Sequence, residues 1–206
     1  MPTQAGYLFE HLAVIFGATA GPLAARGKPI DLFGVIVLGL VSAMGGGTLR
    51  DVLLDQPVYW VHDSSFLLSA FVAAVLSFVF IRRLQKHGDW LQIPDAFSLA
   101  FVTMLGTART LSLGHAIPVC VLMGVMTGVA GGMIRDVMLQ EIPILFRPSV
   151  YLYATAAACG SIVFLAGQWL TLPRPLNLVL GAAVILTLRL AAIRWRIHLP
   201  ALEKDL

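Results

Sequence analysis

The chain has 206 residues, of which 58% are hydrophobic and 12% are charged, and its formal net charge is +3. Soluble domains carry about 25% charged residues, so this composition excludes an ordinary soluble protein. A helix that crosses a bilayer takes about 20 mostly apolar residues, so the length leaves room for several crossings and for no separate soluble domain. We therefore expect one transmembrane domain over residues 1–206.

Apolar runs bounded by proline, glycine or charge predict seven membrane-spanning segments. The runs are too long for barrel strands and do not alternate, so helices are the expected spanning form. The first run carries Glu10 and lacks the basic segment of a secretory signal, which predicts a retained helix. The predicted spans are 8–25, 31–49, 64–82, 92–108, 116–134, 149–168 and 176–194.

An internal repeat links the second and fifth spans. The hexapeptide GGTLRD at positions 46–51 recurs as GGMIRD at 131–136, an offset of 85 positions. Each copy comprises three spans, about 8–83 and about 92–168, and a seventh helix at about 176–195 stands apart. Since three is odd, the second copy enters the membrane from the opposite side, which predicts an inverted repeat of transport proteins. Further matches at this offset are Gly39 with Gly124, Ser42 with Thr127, Ala43 with Gly128, Val52 with Val137 and Leu54 with Leu139.

Small residues recur at every fourth position in both repeated spans. Such stripes let helix backbones approach closely in lipid, so spans two and five are expected to cross tightly. Two interpretations stay open: the glycines form packing seams, or the glycine clusters weaken the helix and allow a kink or local unwinding that exposes carbonyls to an ion. The packing candidates are Gly39, Ala43, Gly124 and Gly128, and the kink candidates are Gly45, Gly46, Gly47, Gly131 and Gly132.

The charged residues of the repeat are candidate pore or gating residues: Arg50, Asp51, Arg135 and Asp136. Charges at membrane depth cost a few kcal/mol on insertion scales and persist mainly when paired or facing water. Adjacent residues point about 100° apart on a helix, so an inverted two-fold axis predicts that Arg50 pairs with Asp136 and Arg135 with Asp51. The alternative is that both pairs cap helix ends and serve only topology.

Other polar residues predict neither catalysis nor a cofactor. Asp95 follows Pro94 and is expected to cap a helix. Motifs of metalloproteases, serine hydrolases and phosphate loops do not occur in the sequence. Cys120 and Cys159 lie inside spans, without histidines at metal-ligand spacing. We expect no catalytic residue, no cofactor, no metal and no nucleic-acid partner.

Lysines and arginines flank the spans unevenly, with eleven on one side and three on the other. Because the richer side normally faces the cytoplasm, the N-terminus is predicted outside and the C-terminus in the cytoplasm. The richer side holds Arg26, Lys28, Arg82, Arg83, Lys86, Arg135, Arg147, Arg189, Arg194, Arg196 and Lys204, and the other side holds Arg50, Arg109 and Arg174.

Two GGxxRD motifs ending the second and fifth of seven helices resemble the bacterial branch of the trimeric intracellular cation channel family. The resemblance covers nearly the whole chain, and bacterial relatives have also been labelled putative glycine transporters. It implies a homotrimer in the bacterial inner membrane, with one potassium-permeable pore per protomer lined by kinked helices two and five. It also implies potassium or sodium as the permeant ion and leaves room for a bound lipid head group.

The residues alone do not decide which ion or solute the protein transports. Animal members of the family carry lysine-glutamate-valine where this chain has arginine-aspartate-valine at 50–52 and 135–137. Arg50 and Arg135 would repel cations unless Asp51 and Asp136 neutralise them, so an anion path and a carrier of glycine or another small solute remain alternatives. The resemblance favours potassium.

Overall fold

The computed structural model describes residues 4–81, 91–147, 152–195 and 197. Several residues in the predicted cytoplasmic set, namely Arg82, Arg83, Lys86, Arg196 and Lys204, lie outside the described residues. Within the described ranges the regular structure is helical throughout. In chain order the helices are α1 (Gln4–Ala24), α2 (Leu32–Leu53), α3 (Tyr59–His62), α4 (Ser65–Ile81), α5 (Gln92–Ser112), α6 (Ile117–Met138), a 3-10 turn (Ile144–Phe146), α7 (Tyr153–Trp169) and α8 (Arg174–Trp195).

The described ranges hold eight α-helices, one more than the seven predicted spans. The additional helix is α3, a four-residue turn in the segment predicted as the loop after span two. Four of the helices are long and apolar enough to cross a membrane: α1 from Gly6, then α2, α6 and α8. α4 is apolar over 17 residues. The chain is thus an all-helical, multi-pass membrane protein.

Helix ends follow from local sequence. Asp31 caps α2 by accepting a hydrogen bond at 2.8 Å from the backbone N–H of Gly34, and a proline stands in the first turn of α6, where its missing N–H leaves no bond unmade. At the other ends of these helices, Asp55 and Gln140 both adopt the left-handed backbone conformation, with φ of 51° and 56°. The chain therefore leaves both repeated helices through the same kind of turn, 85 residues apart.

The helices pack as two groups, which are joined by the packing of α2 on α6 and of α1 on α5. α1, α2 and α4 contact one another, as do α5, α6 and α7, while α8 packs on α5 and α7. Alanines such as Ala70, Ala74, Ala100 and Ala157 are wholly buried between the helices, where a small side chain permits close approach. Large apolar side chains instead face outward, among them Phe33, which is 75% exposed. An apolar exterior around small buried residues suits a lipid solvent.

α2 and α6 cross through their glycines. A Cβ added to Gly46 would overlap the backbone carbonyl of Thr127, and one added to Gly131 would overlap the carbonyl of Ser42. The two contacts are related by the offset of 85, and their reversed order shows that the helices run antiparallel. The glycines therefore serve the backbone-to-backbone crossing of the two repeated helices.

Both repeated helices are continuous through their glycine clusters, α2 over Leu32–Leu53 and α6 over Ile117–Met138. The local unwinding that the sequence allowed at Gly45–Gly47 and Gly131–Gly132 is not present in this structure. Glycine alone would lower helix stability by about 1 kcal/mol per residue. Packing on the opposite helix offsets this at Gly45, Gly46 and Gly131, and Gly47 packs on the ring of Tyr59.

Candidate functional site

The first Arg-Asp motif forms an ion pair between neighbours in sequence. The Nε of Arg50 donates to Oδ1 of Asp51 at 2.8 Å, and its Nη2 lies 2.7 Å from the same oxygen. Asp51 is 2% exposed and Arg50 is 9% exposed. The guanidinium also lies over the ring of Tyr59, 5.8 Å from its centroid. The arginine charge at this end of α2 is neutralised locally.

The second motif repeats this pair and adds another carboxylate. Nε and Nη2 of Arg135 each lie 2.8 Å from Oδ1 of Asp136, and Nη1 lies 3.3 Å from Oδ1 of Asp95 on α5. Arg135 is wholly buried and Asp136 is 2% exposed. Two carboxylates therefore share one buried guanidinium at this end of α6.

The predicted cross-pairing of Arg50 with Asp136 and of Arg135 with Asp51 is wrong. Both motifs lie beyond an antiparallel crossing, so they stand on opposite sides of it, about 18 Å apart along the helix axes by the rise per residue. The 100° separation of adjacent side chains does not keep Arg50 and Asp51 apart, because an arginine side chain is long enough to fold back to the next residue. Among the described residues, each arginine pairs only with carboxylates of its own three-helix copy.

Each aspartate also fastens the segment that follows its helix. The second oxygen of Asp51 accepts a hydrogen bond at 3.0 Å from the backbone N–H of Tyr59, and that of Asp136 accepts one at 2.8 Å from Ile144. Both acceptors lie eight residues before their donors. Each aspartate therefore has two roles: one oxygen pairs with the neighbouring arginine, and the other binds the backbone of the segment that follows the helix.

Asp95 belongs to the second motif and does not cap a helix. It lies inside the first turn of α5, and the residue at the cap position, Leu91, makes no side-chain capping bond. Its side chain, 4% exposed, faces Arg135. The offset of 85 pairs Asp95 with Glu10 of α1, a match between carboxylates that would have identified this position from the sequence.

Two further residues of this cluster were not predicted. Tyr153, at the start of α7, is 7% exposed, and the guanidinium of Arg189 on α8 lies 4.7 Å from the centroid of its ring. Arg189 is wholly buried within α8, whereas the sequence pattern placed it only among the arginines that flank the spans. A single arginine inside the apolar run of α8 is the signal that could have shown this.

A small polar cavity lies where α2 and α6 cross, on the side of Arg135. Its volume is about 10 Å³, which is space for one water-sized particle. α2, α5, α6 and α7 all contribute to its wall. The residues that line it are Ser42, Ala43, Gly46, Asp95, Ser98, Leu99, Val102, Thr127, Gly128, Gly131, Gly132 and Tyr153.

The predicted small-residue positions lie at contacts with neighbouring segments. Gly39 faces Ala74 of α4 and Ala18 of α1, and Ala43 faces Gly17 of α1. Gly124 and Gly128 face the threonines of α5, and Gly124 also faces Ser161 of α7. Gly47 packs on the ring of Tyr59, and Gly45 approaches Ile134 and Gly131. The small-residue stripes therefore contact the neighbouring helices of their own copy as well as each other.

Contacts between the copies tie the segments that follow α2 and α6. Lys28, between α1 and α2, lies 2.6 Å from Oε1 of Glu141, and Arg109 at the end of α5 donates to Oε1 of Gln56 at 3.3 Å. Gln56 and Glu141 are 85 positions apart. The hydrogen bond from Lys28 lowers the pKa of the Glu141 carboxyl below its usual range.

Comparison with known proteins gives matches over nearly the whole chain. The sequence model of a family described as glycine transporter matches residues 7–82 and 92–169. The inner membrane protein YadS of Escherichia coli K12 is 40% identical over 203 residues, covering 97% of each chain. The membrane protein YvgT of Bacillus subtilis is 31% identical over 166 residues, covering 79% of this chain and 80% of that one.

Solved structures give the same match in three dimensions. A structure from a study of conductance through TRIC cation channels has a TM-score of 0.86 and 30% identity, covering 97% of this chain and 98% of its own. The TRIC orthologue from Rhodobacter sphaeroides also has a TM-score of 0.86, at 32% identity over 93% of this chain and 98% of its own. These matches are channels and not enzymes. With helices, repeated motifs and relatives in agreement, the chain belongs to the trimeric intracellular cation channel (TRIC) family, the family that the glycine transporter model describes.

Proposed function

We propose that this protein is a channel for monovalent cations, with potassium as its main permeant ion and sodium less favoured. The observation that carries the proposal is the likeness to structures of TRIC cation channels over 97% of the chain. The wall of the cavity between α2 and α6 supports it, because residues with hydroxyl groups and a carboxylate line it, and cation channels present oxygen atoms to ions.

The arginines are compatible with this function. Arg50 is neutralised by Asp51, and Arg135 by Asp136 and Asp95. Neither motif therefore leaves an uncompensated positive charge beside a path for cations. The anion path stayed open from the sequence alone because unpaired arginines would repel cations, and this pairing removes that objection.

We further propose that the pore runs through each protomer of a homotrimer, between α2 and α6 of an inverted repeat of three plus three spans, completed by α8. The antiparallel crossing through Gly46 and Gly131 supports this arrangement, as do the two separate matches of the family model, at 7–82 and 92–169. The seven spans would be the seven helices of 17 to 22 residues. Cross-linking of purified protein should give a trimer as the largest species.

The proposed location is the inner membrane of a bacterium, with the N-terminus outside and lipid around the apolar exterior. The label of YadS as an inner membrane protein supports the location. Removing the three buried arginines, Arg50, Arg135 and Arg189, from the flanking residues leaves nine against two, so the charge asymmetry keeps its direction. Labelling of a cysteine placed at either terminus with a membrane-impermeant reagent tests the orientation.

The function is tested by recording purified protein in a planar bilayer under potassium, sodium and chloride gradients. The proposal expects discrete conductance steps that reverse near the potassium potential. Steps that reverse at the chloride potential would overturn the cation path.

The description of the family model as glycine transporter favours a second candidate, an alternating-access carrier of glycine. A carrier would show saturable glycine uptake into vesicles, competed by unlabelled glycine, without conductance steps. Uptake in the absence of steps would replace the channel by the carrier.

A further inference from the structure

We propose that the polar cavity at the crossing of α2 and α6 binds one monovalent cation and that the carboxylate of Asp95 is its charged ligand. The inference rests on the proposed channel function and names the place in the pore where the permeant ion is held.

One carboxylate oxygen of Asp95 is available to bind an ion. The residue is 4% exposed, and its Oδ1 lies 3.3 Å from Nη1 of Arg135. Its Oδ2 is buried and has no hydrogen-bond partner among the described residues. A buried carboxylate oxygen without a partner is costly, and native structures seldom leave one so. A ligand in the cavity that Asp95 lines would satisfy it.

The rest of the cavity suits an alkali cation in size and chemistry. Space for one water-sized particle admits a single potassium or sodium ion that has lost most of its water. Ser42, Ser98 and Thr127 lie in the wall, and oxygens of this kind can replace a hydration shell. Gly46 and Gly131 keep side chains out of the crossing, so that backbone as well as side chains forms the wall.

The charges around the site favour weak binding of a single positive charge. Arg135 donates from Nε to Asp136 at 2.8 Å and from Nη1 to Asp95 at 3.3 Å, so its contact with Asp95 is the longer of the two. Arg189 lies over the face of Tyr153. Formally the two arginines balance the two aspartates, so the surroundings add no net attraction for a cation, and a divalent ion would bring twice the uncompensated charge of a monovalent one. Weak binding is what conduction requires, because an ion must leave the site as readily as it enters.

The first test is the dependence of single-channel conductance on potassium concentration. Asp95→Asn keeps the shape of the side chain and removes its charge, and we expect the half-saturating potassium concentration to rise about tenfold, equivalent to about 1.4 kcal/mol. Asp55→Asn is the matched control: Asp55 is exposed and left-handed, a conformation that asparagine tolerates, and we expect no change. An unchanged saturation curve for Asp95→Asn in a conducting channel would overturn the proposal.

Two further variants keep the test decisive if Asp95→Asn fails to fold. Ser98→Ala leaves the contact between Asp95 and Arg135 in place, and we expect a smaller rise of about threefold in the half-saturating concentration, in keeping with loss of one neutral ligand. Asp95→Glu retains the charge and should lie between the wild type and Asp95→Asn. Wild-type behaviour of Ser98→Ala together with Asp95→Glu would refute a site in this cavity.

The second test reports occupancy without relying on conduction. Crystals of the full chain soaked in thallium(I) should show an anomalous peak within the cavity beside Asp95, and the peak should be lost in Asp95→Asn. Water alone in the cavity of the soaked wild type would overturn the site. A peak in a protein that passes no current in any gradient would instead refute the channel function and leave the binding site standing.

Discussion

The two Arg-Asp motifs have the same sequence and the same local bonds but different surroundings. Arg135 is wholly buried between Asp136 and Asp95, whereas Arg50 is 9% exposed and pairs with Asp51 beside the ring of Tyr59. Glu10, the counterpart of Asp95, forms no ion pair with Arg50 in the part of the chain that the structure describes. The repeat therefore specifies how each helix ends, and its neighbours decide how firmly that end is held.

The largest expected effect breaks the more buried motif. Arg135→Gln leaves two buried carboxylates without their cation, and we expect the free energy of unfolding to fall by about 3–5 kcal/mol. Arg50→Gln is the matched variant, and because Asp51 keeps its bond from the N–H of Tyr59 we expect a loss of about 1–3 kcal/mol. Denaturant unfolding in detergent measures both. Equal losses would show that the extra carboxylate adds nothing.

At the crossing of α2 and α6, equivalent substitutions in the two copies should lower the unfolding free energy by similar amounts. Gly131→Ala and Gly46→Ala each place a methyl group against a carbonyl of the opposite helix, and each should cost about 1–3 kcal/mol of unfolding free energy.

Gly132→Ala is the control for the crossing, since its Cβ would meet atoms only at 3.6 Å, an ordinary contact. It should be neutral or stabilising by up to about 1 kcal/mol, because alanine favours helix over glycine. A loss at Gly132 as large as that at Gly131 would mean that helix flexibility, and not the close approach, is what the glycines supply.

A smaller effect is expected from making the first copy resemble the second. Tyr59 and Ile144 are equivalent by the offset of 85, so Tyr59→Ile removes the ring beside Arg50 while keeping the backbone bond to Asp51. The ring also packs on Phe66, 5.2 Å between centroids. Loss of both contacts should lower the unfolding free energy by about 1–2 kcal/mol. A loss below about 0.5 kcal/mol would show that the ring is dispensable.

The smallest effect concerns the contacts between the copies. The lowered pKa of Glu141 means that its contact with Lys28 stabilises the fold above the pKa of the unfolded chain and is lost as the pH falls through the folded pKa. Both side chains are partly exposed, so the effect on Tm should be small. Glu141→Gln should reduce the fall in Tm between pH 7 and about pH 3.5, a window set by the pKa of about 4.3 for an unfolded glutamate.

The opposite substitution tests the same contact in the other copy. Gln56 accepts from Arg109 through a neutral amide, so this contact has no acid dependence of its own. Gln56→Glu should introduce one, with a steeper fall in Tm below about pH 4.3. An identical pH profile for both variants and the wild type would show that neither contact is coupled to folding.

The sequence predicted the helical membrane fold because apolar runs and helix-breaking residues are local signals. It predicted the repeated glycines and charges because these recur at a fixed offset. It failed for the partners of the charges, since pairing depends on the direction in which α2 and α6 cross and on how far an arginine reaches. Asp95 was misinterpreted because proline beside aspartate is also a helix-start signal, and Arg189 because a charge near a chain end resembles a topology signal.

The glycine crossing also fixes where the two repeated helices are nearest to each other. α2 and α6 are in direct backbone contact at Gly46 and Gly131, because neither residue has a side chain to separate the helices. Each arginine lies about 9 Å from the centre of the crossing, so a scissoring rotation of about 10° displaces both motifs by roughly 1.5 Å at once. Any such rotation would therefore move both charged motifs together, one on each side of the crossing.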